Sequence, residues 1–164
     1  MAKKYILVHD LGTTGNKAVI VDEELNLLAS GYTPFKSYYP HTNWVEQSPE
    51  DWWTAVVEST REAISSSGID PADIAVVSFS AQMMSQTPVD KDGKLLVDRT
   101  AIWADGRSGK QAERMHEIFG GLDEYYKIHG VGWQSEIHVI NKLRWIKDNL
   151  PDVYDNTYKF LQAK

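Results

Sequence analysis

Near its start the chain reads Asp10-Leu-Gly12-Thr13-Thr14-Gly15-Asn-Lys17, a carboxylate, two hydroxyls, two glycines and an ammonium group in eight consecutive positions. Apolar, β-branched runs flank it, Tyr5–His9 before and Lys17–Val21 after, so it reads as two strands joined by a tight turn. Such a turn can meet a phosphate and its metal ion together. Successive backbone N–H groups form an anion-binding nest, and Asp10 beside them can hold Mg²⁺ directly or through water. Glycines at positions 12 and 15 allow close backbone approach and unusual dihedrals. The spacing is neither that of a Walker loop nor that of the dinucleotide fingerprint.

A plainer account stands beside this one. Two strands around Gly-Thr-Thr-Gly make an ordinary hairpin, with Asp10 as a turn-starting residue. Thr13 and Thr14 then serve local turn hydrogen bonds, and Lys17 is a solvated strand residue. One consideration weighs toward an ion: a carboxylate ending so apolar a strand is costly without a compensating partner.

Composition narrows the alternatives. A length of 164 residues suits one domain with a real core, and 42% hydrophobic with 24% charged residues is a globular balance. A formal charge of −6, with no Lys/Arg block, opposes a general nucleic-acid or anionic-membrane surface. The absence of cysteine removes disulfide scaffolds and thiol chemistry. His9, His41, His116, His129 and His138 lack metal-ligand spacing and read as surface or partly buried side chains. No Gly-x-Ser-x-Gly elbow is present. The apolar run after Met1-Ala-Lys-Lys4 is too short for a signal-peptide core, and no segment is long enough to span a bilayer. The expectation is a soluble, cytoplasmic protein without nucleic-acid or membrane partners.

The elements that must position these residues are legible in part. Leu25–Tyr32 predicts a third strand, with short connections favouring antiparallel neighbours. Ser48-Pro49-Glu50-Asp51 starts a helix: Ser48 can cap, Pro49 fits the first turn, and the acids suit the positive end of the dipole. Trp53, Val56, Val57, Thr60, Ala63 and Ile64 continue at helical spacing to Gly68. Ile74–Phe79 reads as a buried strand. Gln82–Val89 and Leu95–Val97 read as a hairpin around Asp90-Lys-Asp92-Gly93. A short strand, Thr100–Trp103, precedes helices over Ser108–Phe119, Leu122–Ile128 and Ile137–Asn149, the last stopping near Pro151. Tyr158–Leu161 reads as a further strand. Strands first, then mixed helices and strands, imply an α/β fold with a mixed sheet and covered faces.

Four segments stand in one order along the chain: the Asp10–Lys17 turn, Trp44-Val-Glu46-Gln47-Ser-Pro49-Glu-Asp51-Trp52-Trp53, Ser80-Ala-Gln82-Met83-Met84 and Ala101-Ile-Trp103-Ala-Asp105-Gly-Arg107. That order resembles the N-terminal part of the FGGY carbohydrate kinases, closest to xylulokinase-like members. The resemblance implies a ribonuclease-H-like lobe of the actin/hexokinase/Hsp70 type, with ATP and Mg²⁺ as cofactors and a sugar or polyol as acceptor. Carried onto this sequence, Asp10 organises Mg²⁺, while Gly12, Thr13, Thr14 and Lys17 meet the ATP phosphates. Gln82, Met83 and Met84 form the sugar-contact segment, with Trp103 and Asp105 beside the substrate. Many xylulokinases carry histidine at the position of Met84, and a methionine cannot supply that hydrogen bond. Core packing is the alternative for both methionines. For Asp105 and Arg107 the alternative is a surface ion pair worth about 0–1 kcal/mol. Trp44 and Glu46 are assigned to helix-entry packing and loop hydrogen bonding.

The resemblance covers residues 1–164 as the N-terminal part of the first, sugar-binding domain. It implies that the catalytic base, the second phosphate turn and the adenosine-binding lobe lie downstream. No catalytic residue is therefore assigned within this chain, which is expected to lack turnover alone. A truncated lobe also leaves a sheet edge and apolar surface open to self-association. The alternative is a non-catalytic phosphate-binding or interaction module of the same fold.

Overall fold

The computed structural model describes residues 4–130 and 134–164. Residues 1–3, which belong to the N-terminal stretch read above, lie outside it. In chain order the elements are β1 (Tyr5–Leu11), β2 (Gly15–Val21), β3 (Leu27–Pro34), β4 (Glu46–Gln47), α1 (Pro49–Ser67), β5 (Ile74–Ala81), β6 (Thr87–Val89), β7 (Thr100–Ala101), α2 (Gly109–Ile118), α3 (Leu122–His129), α4 (Val139–Asn149), α5 (Pro151–Asn156) and β8 (Lys159–Leu161). Where the length suits one domain, the fold divides into two compact units. One comprises Met1–Lys36, Ser48–Gln82 and Ala163–Lys164; the other comprises Ser37–Gln47 and Met83–Gln162.

The first unit is built on a sheet of order β3-β2-β1-β5. Both short connections give antiparallel pairs, β1 with β2 and β2 with β3. β5 instead runs parallel to β1, which requires a crossover, and α1 lies on that connection. Leu7, Ala18, Ile20 and Ala63 form the core, with Tyr5, Ile64, Ile69 and Ile74 packed against it. α1 and the sheet meet closely at Gly31, where a Cβ would lie 2.3 Å from the Ser59 carbonyl oxygen. Ser48 takes the extended N-cap backbone of α1 and Gly68 its left-handed C-cap, but the Ser48 side chain makes no capping bond.

β5 departs from the buried strand expected there. Among the described residues it pairs with β1 alone, and Val76, Val77 and Phe79 are exposed. Apolar composition marked a strand correctly. It did not reveal that this strand stands at an edge, because burial depends on neighbours from elsewhere in the chain.

The second unit carries two small antiparallel sheets, β4 with β7 and β6 with β8, and the helices α2 to α5. Ile102, Ala112, Met115 and Tyr125 are buried in it. The Asp90 turn forms as read, its carboxylate accepting from the backbone of Asp92 and Lys94. The hairpin around it is short: Leu95 bridges Val89, Leu96 N–H donates to the Pro88 carbonyl at 3.1 Å and Asp90 N–H to the Lys94 carbonyl at 3.0 Å, while β6 takes β8 as its ladder partner. α5 lies beyond the elements that the spacing predicts. Pro151 ends α4 but opens the next helix from its first turn, the same signal that was read correctly at Pro49.

Candidate functional site

In the first unit, strand alternation sorts the residues of the turn onto two faces. Leu7, His9 and Leu11 are buried, and Asp10 is exposed. Asp10 stands directly across the ladder from Lys17, which is also exposed. Among the described residues neither side chain has an ion pair or hydrogen bond. The carboxylate and the ammonium group thus share one open face as cross-strand neighbours. Because Asp10 is exposed, the burial cost argued from its apolar strand does not arise.

The turn between them is tight. Gly12 N–H donates to the Gly15 carbonyl at 3.0 Å, and Phe35 N–H donates to the Thr14 carbonyl at 3.1 Å. Thr14 Oγ1 lies 3.2 Å from the Tyr32 hydroxyl. Neither Gly12 nor Gly15 has positive φ, so unusual dihedrals are not the reason for these glycines. At position 15 the reason is space. A Cβ there would lie 2.6 Å from both the Thr33 carbonyl oxygen and the Tyr32 hydroxyl.

Behind the turn lies a polar cluster that the sequence reading missed. His9 is buried and stacks on Phe79 with ring centroids 4.7 Å apart. Asn16 Nδ2 donates to His9 Nδ1 at 2.9 Å and to Ser59 Oγ at 2.7 Å, so α1 is tied to both strands of the hairpin. Burial holds the His9 pKa below its ordinary value of 6.5, which keeps the ring neutral and able to accept that bond. The signal was available: His9 and Asn16 occupy inward positions of strands with apolar inward neighbours.

β5 ends beside the same turn, where Gln82 N–H donates to the Leu11 carbonyl at 2.8 Å. The following residues belong to the second unit. Met83 is 63% exposed, and Met84 adopts φ +64°, an uncommon backbone for a non-glycine residue. Trp103 is 43% exposed. The unit therefore presents one methionine side chain and one indole at its surface.

Asp105 is wholly buried. Its Oδ1 accepts from Arg107 Nε at 2.8 Å and from Arg107 N–H at 3.1 Å, and its Oδ2 accepts from Arg107 Nη2 and Val45 N–H, each at 2.7 Å. Arg107 Nη2 also reaches Glu46 Oε1 at 2.7 Å. The guanidinium lies over the Trp44 ring, 3.8 Å from its centroid. This is not the surface pair considered from the sequence. A bidentate carboxylate, a second acid and an aromatic face enclose the cation, binding the loop after Trp103 to the segment around β4.

Lys142, at the start of α4, was also missed. It is 1% exposed, and its Nζ donates to the carbonyls of Ile102 at 2.5 Å and Met84 at 3.3 Å. Burial pulls its pKa down from 10.5 to about 8, against the opposing pull of the Asp105 carboxylate. A lysine three positions before Trp145 and four before Ile146 lies on one helical face with them, and that spacing was the available signal.

No group of three or more His, Asp or Glu side chains able to cage a metal occurs among the described residues. Mg²⁺ does not need one, since it binds through one or two carboxylates together with substrate phosphates and water. A single uncommitted carboxylate at Asp10 fits that donor set.

The sequence model for the N-terminal domain of the FGGY family of carbohydrate kinases matches residues 5–164. A glycerol kinase from Thermococcus kodakarensis is 30% identical over 158 residues, covering 96% of this chain and 31% of that protein. A xylulose kinase from Staphylococcus epidermidis is 27% identical, covering 100% of this chain and 32% of that protein. The crystal structure of a xyloylose kinase from Brucella ovis superposes with a TM-score of 0.88 at 26% identity, covering 98% of this chain and 32% of that one. The chain thus spans just under a third of the relatives it matches.

Proposed function

The chain belongs to the FGGY family of carbohydrate kinases, and from that premise we propose that it serves an enzyme transferring the γ-phosphoryl group of ATP to a hydroxyl of a xylulose-like ketose or a polyol. In this reading residues 1–164 are the N-terminal part of the first, acceptor-binding domain. The general base and the adenosine-binding lobe lie in other parts of the protein, so the chain alone turns over no substrate. Cytoplasmic residence belongs to the same reading. It is supported by the proposed use of ATP.

The observation that carries the proposal is the open pair formed by Asp10 and Lys17 beside the Gly12–Gly15 turn. Phosphoryl transfer needs positioning and charge neutralisation more than covalent help from the protein. Asp10 is the residue to hold Mg²⁺, directly or through water, and the ion would neutralise phosphate charge. Lys17 and the turn at Gly12, Thr13 and Thr14 receive phosphate oxygens. Gln82, Met83, Met84 and Trp103 contact the acceptor: the amide can exchange hydrogen bonds with hydroxyls, while the methionines and the indole meet its C–H faces. Asp105 belongs to this site by holding the loop that carries Trp103.

The test is Asp10→Asn in the protein as its gene encodes it, assayed by coupled ADP release against a panel of ketoses and polyols. Loss of Mg-dependent turnover with the fold intact supports the proposal, and unchanged turnover removes Asp10 from the mechanism. If the unmodified protein turns over no acceptor at all, the non-catalytic reading takes its place.

A further inference from the structure

We propose that Lys142 is a positioning residue for acceptor binding, its buried ammonium group clamping the backbone at Met84 to the backbone at Ile102. This rests on the acceptor-contact role proposed for Met83, Met84 and Trp103.

Lysine is almost never fully buried unless paired, and Lys142 is 1% exposed. Its place in the first turn of α4 is also unfavourable for a cation, since the helix dipole is positive there. Among the described residues no carboxylate forms an ion pair with it. What it does meet is two carbonyls, one on each loop carrying a proposed acceptor contact. Methionine would fill a similar volume without the cost of burying charge, so what lysine adds is a pair of directed bonds.

Those bonds add a direct link between two hydrogen-bonded segments. The Met84 carbonyl also accepts from Gln86 Nε2 at 2.5 Å, and the Gln86 carbonyl accepts from Thr100 Oγ1 at 2.7 Å. On the other side, the Ile102 carbonyl accepts from Asp105 N–H at 3.0 Å, and Asp105 is held by Arg107 and Val45. Lys142 bonds Met84 and Ile102 at once, beside the link between Gln86 and Thr100. Met84 has left-handed backbone, a conformation that persists only when its surroundings over-determine it, and the clamp supplies part of that constraint. Without the ammonium group, the Met83–Met84 and Trp103 segments are held to one another less directly, through Gln86 and Thr100.

Lys142→Met in the protein as its gene encodes it tests this. The KM for the acceptor should rise by about tenfold or more, while the KM for ATP stays within about twofold, because misplaced contacts cost affinity only where they act. Hydrogen exchange read by mass spectrometry should quicken in peptides covering positions 82–89 and 100–107, and should not change in those covering β1 and β2. Unaltered exchange in the two loops overturns the clamp. Faster exchange with an unaltered acceptor KM overturns the positioning role, as does an equal rise in both KM values. If the unmodified protein phosphorylates nothing, the functional reading fails, and the exchange measurement still decides the clamp. Should Lys142→Met not fold, Lys142→Arg carries the same comparison: a planar guanidinium does not place its donors as a compact ammonium group does, so the same split in KM is expected.

Discussion

Asp10 and Lys17 face each other across the β1–β2 ladder, both exposed, and neither has a partner among the described residues. That these two stay apart on an open face leaves both available to a ligand.

Replacing either residue should therefore change function and spare the fold. Asp10→Asn is expected to lower Mg-dependent kcat by about 10²-fold or more, and Lys17→Met to raise the KM for ATP by about tenfold. Melting temperatures should barely move, because exposed substitutions of this kind typically change stability by less than about 0.5 kcal/mol. Steady-state kinetics and thermal melts on the same preparations separate the two effects, and a large fall in Tm would show that the pair is structural.

The buried His9 makes stability pH-dependent with a defined sign. Its folded pKa lies below 6.5, so as pH falls the unfolded chain takes up a proton first. The contribution is fully present above the unfolded value of 6.5 and is lost as pH falls through the lower folded value. His138 is shifted in the same direction and adds to the slope. His9→Asn, whose Oδ1 can still accept from Asn16, should flatten the curve below about pH 6.5. Urea unfolding at several pH values measures this, and an equally steep acid limb in the variant would assign the slope elsewhere.

At Lys142 the window lies on the alkaline side. Its folded pKa of about 8 is below the ordinary 10.5, so between these values the unfolded chain binds the extra proton and stability rises with pH. In Lys142→Met that rise should be absent, which denaturant unfolding between these limits would detect.

Gly15→Ala should destabilise by about 1–3 kcal/mol, the usual cost of forcing atoms into a packed site. The new Cβ would lie 2.6 Å from the Thr33 carbonyl oxygen, which is backbone and cannot swing aside. Unfolding by denaturant gives the number, and a neutral result would mean that the hairpin yields more easily than its hydrogen bonds imply.

Arg107→Met should cost about 3–5 kcal/mol, because it strands the buried Asp105 carboxylate and leaves Glu46 without its cation. Pairing it with Asp105→Asn should recover part of that loss, since the uncompensated charge is then gone. A double-mutant cycle with no coupling would contradict the enclosed ion cluster.

The open edge at β5 has a consequence in solution. Val76, Val77 and Phe79 are exposed on a strand whose outer side has no partner among the described residues. The isolated chain should self-associate as its concentration rises. Light scattering tests this, and a constant monomer mass over a wide concentration range would argue against it.

The sequence by itself determined most of the elements and the family. Apolar, β-branched runs placed β1 and β2, and helical spacing placed α1. The types within Asp10–Lys17 carry the proposal of phosphate and Mg²⁺ as ligands, and four segments in one order pointed to the family whose model matches residues 5–164. These properties are local, set by neighbouring residues or by a fixed period. Only the tertiary structure decided which partners the inward polar side chains meet. That Asp105 and Arg107 are enclosed with Glu46, that Lys142 reaches two carbonyls from 40 and 58 positions away, and that β5 lies at an edge all depend on segments distant in the chain. Burial and partnership are properties of the assembled neighbourhood, and no window of sequence contains it.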